Sequence, residues 1–196
     1  MKISGSKNAA LPLLAATLLQ KGIYEIENVP KLKDISTMSK LLTILGAKIK
    51  WIQDGVLQVD TTGVENYVAP YELVKQMRAS VLVLGSLTGG LKRAVVSYPG
   101  GCAIGERPIN LHIQGLQALG CEVNIKEGYV DVNAKRLKGA RIRFDTTTVG
   151  GTENIMMAAV LAKGETIIEN AAREPEVVDL ARMLKKMGAK IEGEGT

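Results

Sequence analysis

One short pattern occurs three times in this chain, and the repetition constrains the fold more than any other feature. The copies are residues 42–49 (LTILGAKI), 116–123 (LQALGCEV) and 184–191 (LKKMGAKI). Each is typical of the end of an amphipathic helix, followed by a glycine where positive φ is needed and then by a strand. The glycines are 74 and 68 residues apart in a chain of 196. This spacing predicts three supersecondary units that share a core.

The segments upstream of these glycines extend the repetition. Each predicted unit begins with an apolar helix, at residues 9–19, 79–87 and 154–161. A strand, the amphipathic helix and a hairpin follow, with hairpin strands predicted at 56–59 and 129–132. In the middle copy, Gly89 and Gly90 separate the apolar helix from its strand.

These patterns predict one domain over residues 1–196, with internal repeats at about 1–63, 64–140 and 141–196. The third repeat lacks its last strand, so we expect the chain to be a fragment of a longer protein. Because the apolar helices are hydrophobic on most faces, they are expected to lie inside, with sheets packed outside them. The predicted fold class is therefore α/β, with buried helices and outer sheets.

The composition excludes several classes of protein. Apolar residues make up 46% and charged residues 23%, which is typical of a chain with a sizeable core and not of a disordered one. The single histidine, His112, excludes a multi-histidine or zinc site, so no metal is expected. The sequence has no apolar run of roughly 18 residues and no signal peptide, which predicts a cytoplasmic protein that does not bind membranes.

The net charge of +5 is the only feature that favours a nucleic-acid-binding module. One Trp, five Tyr and one Phe are too few for a base-stacking surface. We therefore interpret the basic excess as attraction for small anions or as ordinary solubility, and expect no nucleic acid as partner.

The repeats disagree most at residues 99–108, where the middle copy carries extra residues. Its glycines and prolines predict a loop, so Cys102 is expected to be accessible to solvent. Arg107 would favour the thiolate. The loop alone leaves open whether Cys102 is reactive or an incidental surface cysteine. Cys121 replaces an alanine of the other copies and is predicted to lie in the core.

The predicted helix starts form a second candidate site. Lys7 and Asn8 come at the start of the first apolar helix, with Asn8 as its predicted N-cap. In repeat register, Arg78 falls at the start of the second helix and residues 150–152 at the start of the third. Helix N-termini attract phosphate or carboxylate, and stacking of the units would bring the three starts to one side. Taken singly, Lys7 and Arg78 are better explained as solvated charges than as ligands, whereas their shared position in the repeats favours an anion site.

Several motifs lie in order along the whole chain: SGSKNAALP at 4–12, NVPKLKD at 28–34, MRAS at 77–80, PGGCAIG at 99–105, RP at 107–108 and IENAAREPE at 168–176. Together they resemble the UDP-N-acetylglucosamine 1-carboxyvinyltransferases, a family of enolpyruvyl transferases. The resemblance implies transfer of the enolpyruvyl group of phosphoenolpyruvate to the 3′-hydroxyl of UDP-N-acetylglucosamine, with release of phosphate, as the first committed step of peptidoglycan synthesis. It implies no cofactor.

The resemblance also implies a fold and a partner. Family members have two similar domains, each an inside-out α/β barrel of three βαβαββ-type units, with the active site between them. Because they are about twice as long as this chain, the chain is expected to be the catalytic-loop domain, with a second homologous domain as its partner. In the family, that second domain supplies the aspartate that deprotonates the sugar hydroxyl.

Site residues are assigned by matching the family motifs. Cys102 is implied as the proton donor to phosphoenolpyruvate, which it also binds covalently, and as the target of fosfomycin. The residues implied for phosphoenolpyruvate are Lys7, Asn8 and Arg78. Those implied for UDP-N-acetylglucosamine are Arg78, Arg107, Pro108, Ile109, Asn110, Leu111, Thr148, Val149 and Gly150. Lys33 is a further candidate in the cleft.

Two rival hypotheses remain. The sister enzyme of the aromatic pathway has the same fold but does not use a loop cysteine, so the loop at 99–105 argues against it. The other rival is a catalytically incomplete fragment that only binds substrate.

Overall fold

Helices and strands alternate along the chain in the computed structural model, which describes residues 3–98 and 109–196. The first elements are α1 (Lys7–Ala16), the 3₁₀ helix Thr17–Leu19, β1 (Ile23–Ile26), α2 (Lys33–Ile44), β2 (Lys48–Gln53) and β3 (Val56–Asp60). Next come β4 (Val68–Ala69), α3 (Tyr71–Val74), the 3₁₀ helix Arg78–Leu82, α4 (Val83–Leu91), β5 (Arg93–Ser97), α5 (Asn110–Ala118), β6 (Glu122–Lys126) and β7 (Tyr129–Asn133). The last are β8 (Arg141–Arg143), α6 (Val149–Ala159), β9 (Ile167–Glu169) and α7 (Pro175–Lys186).

The strands in the described part of the chain form three sheets. The first has the antiparallel order β1-β3-β2. The second, β4-β5-β7-β6, repeats that arrangement and adds β4 parallel to β5, while the third consists of β8 parallel to β9. Parallel neighbours need a crossover connection, which the helices between them supply. Strands β3 and β7 confirm the hairpin strands expected from the sequence, whereas the short β4 and β8 were not expected.

Helices α1, α4 and α6 contain most of the buried residues of the described α-helices. Seven consecutive residues of α4 are buried, and α6 is buried from Gly151 to Ala158. By contrast, α7 buries only Val177, Leu180, Ala181 and Leu184, which share one face. The hairpin strands β2 and β6 are largely exposed. The apolar helices are therefore interior elements, and these hairpin strands lie at the surface. Cys121 is 7% exposed, as expected of a core residue.

The repeated glycines end three helices in the same way. Gly46, Gly120 and Gly188 have φ of +109°, +89° and +101°, which confirms the predicted left-handed position. After each glycine, the next N–H donates to the carbonyl of the leucine that begins the repeated pattern, at 2.9, 3.1 and 3.0 Å. This is the hydrogen bond of a Schellman motif, so the repeated pattern encodes a helix stop.

The strand predicted after Gly188 does not form. Residues 189–191 have no ladder partner in the described residues. The two earlier copies each fold back along a hairpin partner, whereas Gly193 and Gly195 here have φ of +79° and +80° and turn the chain. A strand needs a neighbour to accept and donate its hydrogen bonds, so the same local pattern gives a different result.

Two helix boundaries also differ from expectation. Asn8 is not an N-cap, because Ala10 N–H donates to Ser6 O at 3.0 Å and α1 already begins at Lys7. Gly89 and Gly90 do not end the second apolar helix but lie within α4, which runs to Leu91. A side chain at either glycine would meet the 3₁₀ helix Thr17–Leu19, so their small size serves packing.

Helices α4 and α6 pack closely against each other in the core. The N–H of Gly85 donates to Asn154 Oδ1, and a Cβ at Gly85 would overlap the Asn154 backbone. The amide Nδ2 of Asn154 donates to Val81 O at 2.9 Å and lies 2.8 Å from His112 Nδ1. One buried side chain thus links α4, α5, α6 and the 3₁₀ helix Arg78–Leu82.

We predict that Gly85→Ala lowers the free energy of unfolding by about 1–3 kcal/mol. Alanine is the better helix former, but here the overlap with Asn154 outweighs that preference. Gly22→Ala is the matched control, because its Cβ would only contact the Tyr24 ring at 3.5 Å. Urea denaturation of both variants checks this prediction. If Gly85→Ala unfolds with the same free energy as Gly22→Ala, helices α4 and α6 make room for the added methyl group without cost.

Candidate anion-binding site

Four helix starts meet at one cavity of about 1050 Å³. They are the first turn of α1, the start of the 3₁₀ helix Arg78–Leu82, the first turn of α5, and residues 145–150 leading into α6. The repeat register predicted such a convergence for three of them, and α5 adds a fourth. The described lining includes Lys7, Asn8, Leu11, Asp34, Met77, Arg78, Ile109, Asn110, Leu111, His112, Asp145, Thr148, Val149, Gly150 and Glu153.

Most of the predicted site residues line this cavity. They are Lys7, Asn8, Arg78, Ile109, Asn110, Leu111, Thr148, Val149 and Gly150. Lys33 is exposed at the first position of α2 and is not among the described lining residues, although its neighbour Asp34 is. Cys102, Arg107 and Pro108 lie outside the described residues. Ile109, the first residue of the described range 109–196, belongs to the lining.

An ion pair holds the lysine of this cavity. Lys7 Nζ lies 2.7 Å from Asp34 Oδ2, and the two side chains are 44% and 30% exposed. Asp34 occupies the first turn of α2, where a carboxylate is favoured by the helix dipole. Partly exposed pairs of this kind contribute at most about 1 kcal/mol to stability, so the pair positions the ammonium more than it stabilises the fold.

The start of α6 presents backbone donors to the cavity. Thr148 is the N-cap, and its Oγ1 accepts from Gly151 N–H at 3.2 Å. The N–H groups of Val149 and Gly150, one and two positions into the helix, have no acceptor within it. Together with the helix dipole, such groups attract phosphate or carboxylate oxygens.

His112 is a lining residue that the sequence analysis considered only as a metal ligand. It is 7% exposed, and burial together with the nearby Arg78 guanidinium lowers its pKa to about 4. Because Asn154 Oδ1 accepts from Gly85, the amide Nδ2 faces His112 Nδ1 and makes it the acceptor. The neutral ring then carries its proton on Nε2, 3.8 Å from where a Cβ of Gly150 would lie. Its position directly after residues 107–111, which the sequence analysis assigned to UDP-N-acetylglucosamine, was the signal that could have identified it.

Glu153 is the second lining residue that the sequence analysis missed. It lies on α6 and is 4% exposed, and its Oε1 has no hydrogen-bond partner among the residues described. Burial, followed by the charges of Glu176 and Glu174, raises the pKa of this carboxyl to about 8. An acidic residue at the start of an otherwise apolar helix was the available signal.

The described residues lack two kinds of feature. None of the helices in ranges 3–98 and 109–196 is both long and apolar enough to cross a membrane. The same ranges contain no group of three or more His, Cys, Asp or Glu residues that could hold a metal ion.

The chain is similar to enolpyruvyl transferases in sequence and in structure. It is 61% identical over 194 residues to UDP-N-acetylglucosamine 1-carboxyvinyltransferase of Geotalea uraniireducens, which covers 99% of this chain and 46% of that protein. The enzyme of the same name from Cellvibrio japonicus is 57% identical, and the match covers 100% of this chain and 47% of that protein. The chain therefore spans about half the length of the curated relatives it matches.

Solved structures confirm the predicted α/β fold. The enolpyruvyl transferase NikO from Streptomyces tendae superposes with a TM-score of 0.84 at 21% identity, covering 96% of this chain and 44% of that one. EPSP synthase from Acinetobacter baumannii superposes with a TM-score of 0.75 at 16% identity. The match covers 100% of this chain and 45% of that one. The profile of EPSP synthase (3-phosphoshikimate 1-carboxyvinyltransferase) matches residues 1–196. The chain belongs to the EPSP synthase family.

Proposed function

We propose that this chain is the cysteine-bearing half of a UDP-N-acetylglucosamine 1-carboxyvinyltransferase. That enzyme transfers the enolpyruvyl group of phosphoenolpyruvate to the 3′-hydroxyl of UDP-N-acetylglucosamine and releases phosphate. The 61% identity across 99% of the chain to a relative of that name carries the proposal. The cytoplasmic location expected from the sequence, and the role in peptidoglycan synthesis, belong to the same proposal.

The cavity supports the assignment of substrate contacts. Phosphoenolpyruvate carries a phosphate and a carboxylate, which are both negatively charged. Lys7, at the start of α1, and Arg78, at the start of the 3₁₀ helix Arg78–Leu82, place positive charges at the cavity. Asn8 supplies an amide beside them. The N–H groups at the start of α6 suit the diphosphate of the nucleotide, with the segment 109–111 beside them.

The proposed chemistry assigns one role to each group. Cys102 donates a proton to C3 of phosphoenolpyruvate, and the 3′-oxygen of the sugar then bonds to C2 as its own proton leaves. The tetrahedral product loses phosphate from C2 and returns a proton from C3 to the Cys102 thiolate, which restores the double bond. Lys7 and Arg78 stabilise the negative charge of the departing phosphate. We assign the base for the sugar hydroxyl to the second domain, because the chain spans about half of its relatives.

The sister reaction of the aromatic pathway has less support. The matching profile carries the name of that enzyme, yet the solved EPSP synthase is only 16% identical to the chain. The curated relatives named for the nucleotide-sugar reaction are 55–61% identical. The acceptor substrate therefore separates the two hypotheses in one assay.

A chimera tests the proposed reaction. We replace the matched half of the Geotalea uraniireducens enzyme with this chain and measure phosphate release from phosphoenolpyruvate. The expected result is release that requires UDP-N-acetylglucosamine, while 3-phosphoshikimate does not substitute for it. A folded chimera that releases no phosphate would reject the proposal in favour of a binding-only fragment.

In the same chimera, Cys102→Ala should lower the rate at least about 100-fold, because a general acid contributes roughly 100- to 10,000-fold. Cys121→Ala is the matched control, since the other two repeats carry alanine at that position. Its phosphate release should stay close to that of the unmodified chimera. Equal loss in both variants would assign the effect to folding and not to the loop thiol.

Lys7→Ala should weaken phosphoenolpyruvate binding about ten- to a hundredfold, the loss expected when a charged hydrogen bond of about 1.5–3 kcal/mol is removed. Lys31→Ala is the matched control, because Lys31 also forms an ion pair, with Asp54 at 2.8 Å, but does not line the cavity. Calorimetric titration of both variants checks the prediction. Equal affinities would remove Lys7 from the proposed contacts.

A further inference from the structure

Glu153 has no role in the chemistry proposed above, yet it lines the same cavity. It is 4% exposed, and its Oε1 is buried without a hydrogen-bond partner in the described parts of the chain. A buried carboxylate with no partner is far less stable than the protonated acid. Because Glu153 also lines the cavity, its unpartnered oxygen is a candidate contact for a bound ligand.

The charges around Glu153 favour the protonated acid as well. Glu174 and Glu176, just before and within the first turn of α7, repel a charge on it and raise its pKa. On the cavity side, the first turn of α1 carries Lys7, which is paired with Asp34 of α2. The remaining ionisable groups of the lining are Arg78 and His112, on elements packed against α6, and Asp145 in the loop before it.

We propose that Glu153 is an uncharged carboxylic acid that donates a hydrogen bond to a phosphate oxygen of the bound substrate, so that binding is linked to the uptake of a proton. This inference rests on the proposed function, which supplies the phosphate. The protonated acid is a donor and the phosphate oxygen an acceptor, whereas an ionised Glu153 would repel the same oxygen. The residues proposed to contact the phosphates of the two substrates line the same cavity as Glu153: Val149 and Gly150, one turn before it on α6, and Lys7 and Asn8 on α1.

Linkage fixes the sign of the pH dependence. A bound anion that accepts from the protonated acid raises the pKa of Glu153, and by reciprocity the anion binds more weakly once Glu153 is ionised. With a pKa of about 8 in the free protein, the dissociation constant should rise about tenfold from about pH 7 to about pH 9. The pKa values of His112 and Cys121, about 4 and about 11, lie outside this window.

The test follows the carboxyl carbon of Glu153 by NMR in glutamate-labelled chain. Titrations are run without ligand, with phosphoenolpyruvate and with UDP-N-acetylglucosamine, and Glu153→Gln assigns the resonance. The midpoint of the Glu153 titration is expected to rise when the substrate whose phosphate contacts Glu153 is present. Comparison of the two titrations therefore identifies which substrate supplies that phosphate. Because only glutamate carbons are observed, a thiol that titrates in the same range does not interfere.

Dissociation constants over the same pH range give a second readout. Glu153→Gln keeps a neutral donor and should remove the tenfold weakening, whereas Glu122→Gln, at an exposed position of β6, should keep it. Substrate that binds while the midpoint stays constant or falls would overturn the role of Glu153 and leave the proposed function intact. If neither substrate binds the chain or the chimera, both proposals fail together.

Discussion

The hydrogen bonds of Asn154 connect three of the four elements whose starts line the cavity. The side chain of Asn154 accepts from α4 at Gly85, donates to the carbonyl of Val81 and contacts the ring of His112 on α5. Val81 and His112 belong to two elements whose starts line the cavity, and Gly85 belongs to α4, which directly follows the first of them. Because Asn154 is fully buried, leaving any of these groups unpaired would be costly, and the elements are therefore held in one arrangement. The absence of a side chain at Gly85 is what allows the helices to approach closely enough.

Burial gives the cavity neutral donors beside exposed charges. Desolvation lowers the pKa of His112 and raises that of Glu153. Burial therefore favours the uncharged form of both groups, the deprotonated imidazole and the protonated carboxylic acid. Lys7 and Asp34 form their ion pair where water still reaches both side chains, which are 44% and 30% exposed. The described lining thus combines neutral hydrogen-bond donors in its buried part with an ion pair in its exposed part. This arrangement suits a ligand that carries both sugar hydroxyls and phosphate oxygens.

Local sequence patterns predicted the parts of the structure that depend on local hydrogen bonds. The Schellman stops at Gly46, Gly120 and Gly188 are determined within each repeated segment, and the repeat register correctly brought Lys7 and Arg78 to one cavity. The strand expected after Gly188 failed because its formation depends on a distant partner. The contacts of His112 and Glu153 were missed for a related reason, since the burial that sets their charge comes from other helices.

The ion pair of Lys7 has a consequence for the affinity and selectivity of binding. An ammonium has three N–H donors, and Asp34 occupies one of them, which leaves two for an arriving anion. The lysine loses its conformational freedom on folding, so this entropy is not lost again when ligand binds. The neighbouring carboxylate also repels weakly bound monoanions, such as chloride, from the same ammonium. A ligand with several negatively charged oxygens overcomes that repulsion by reaching other donors at once, which makes the pair a filter for polyvalent anions.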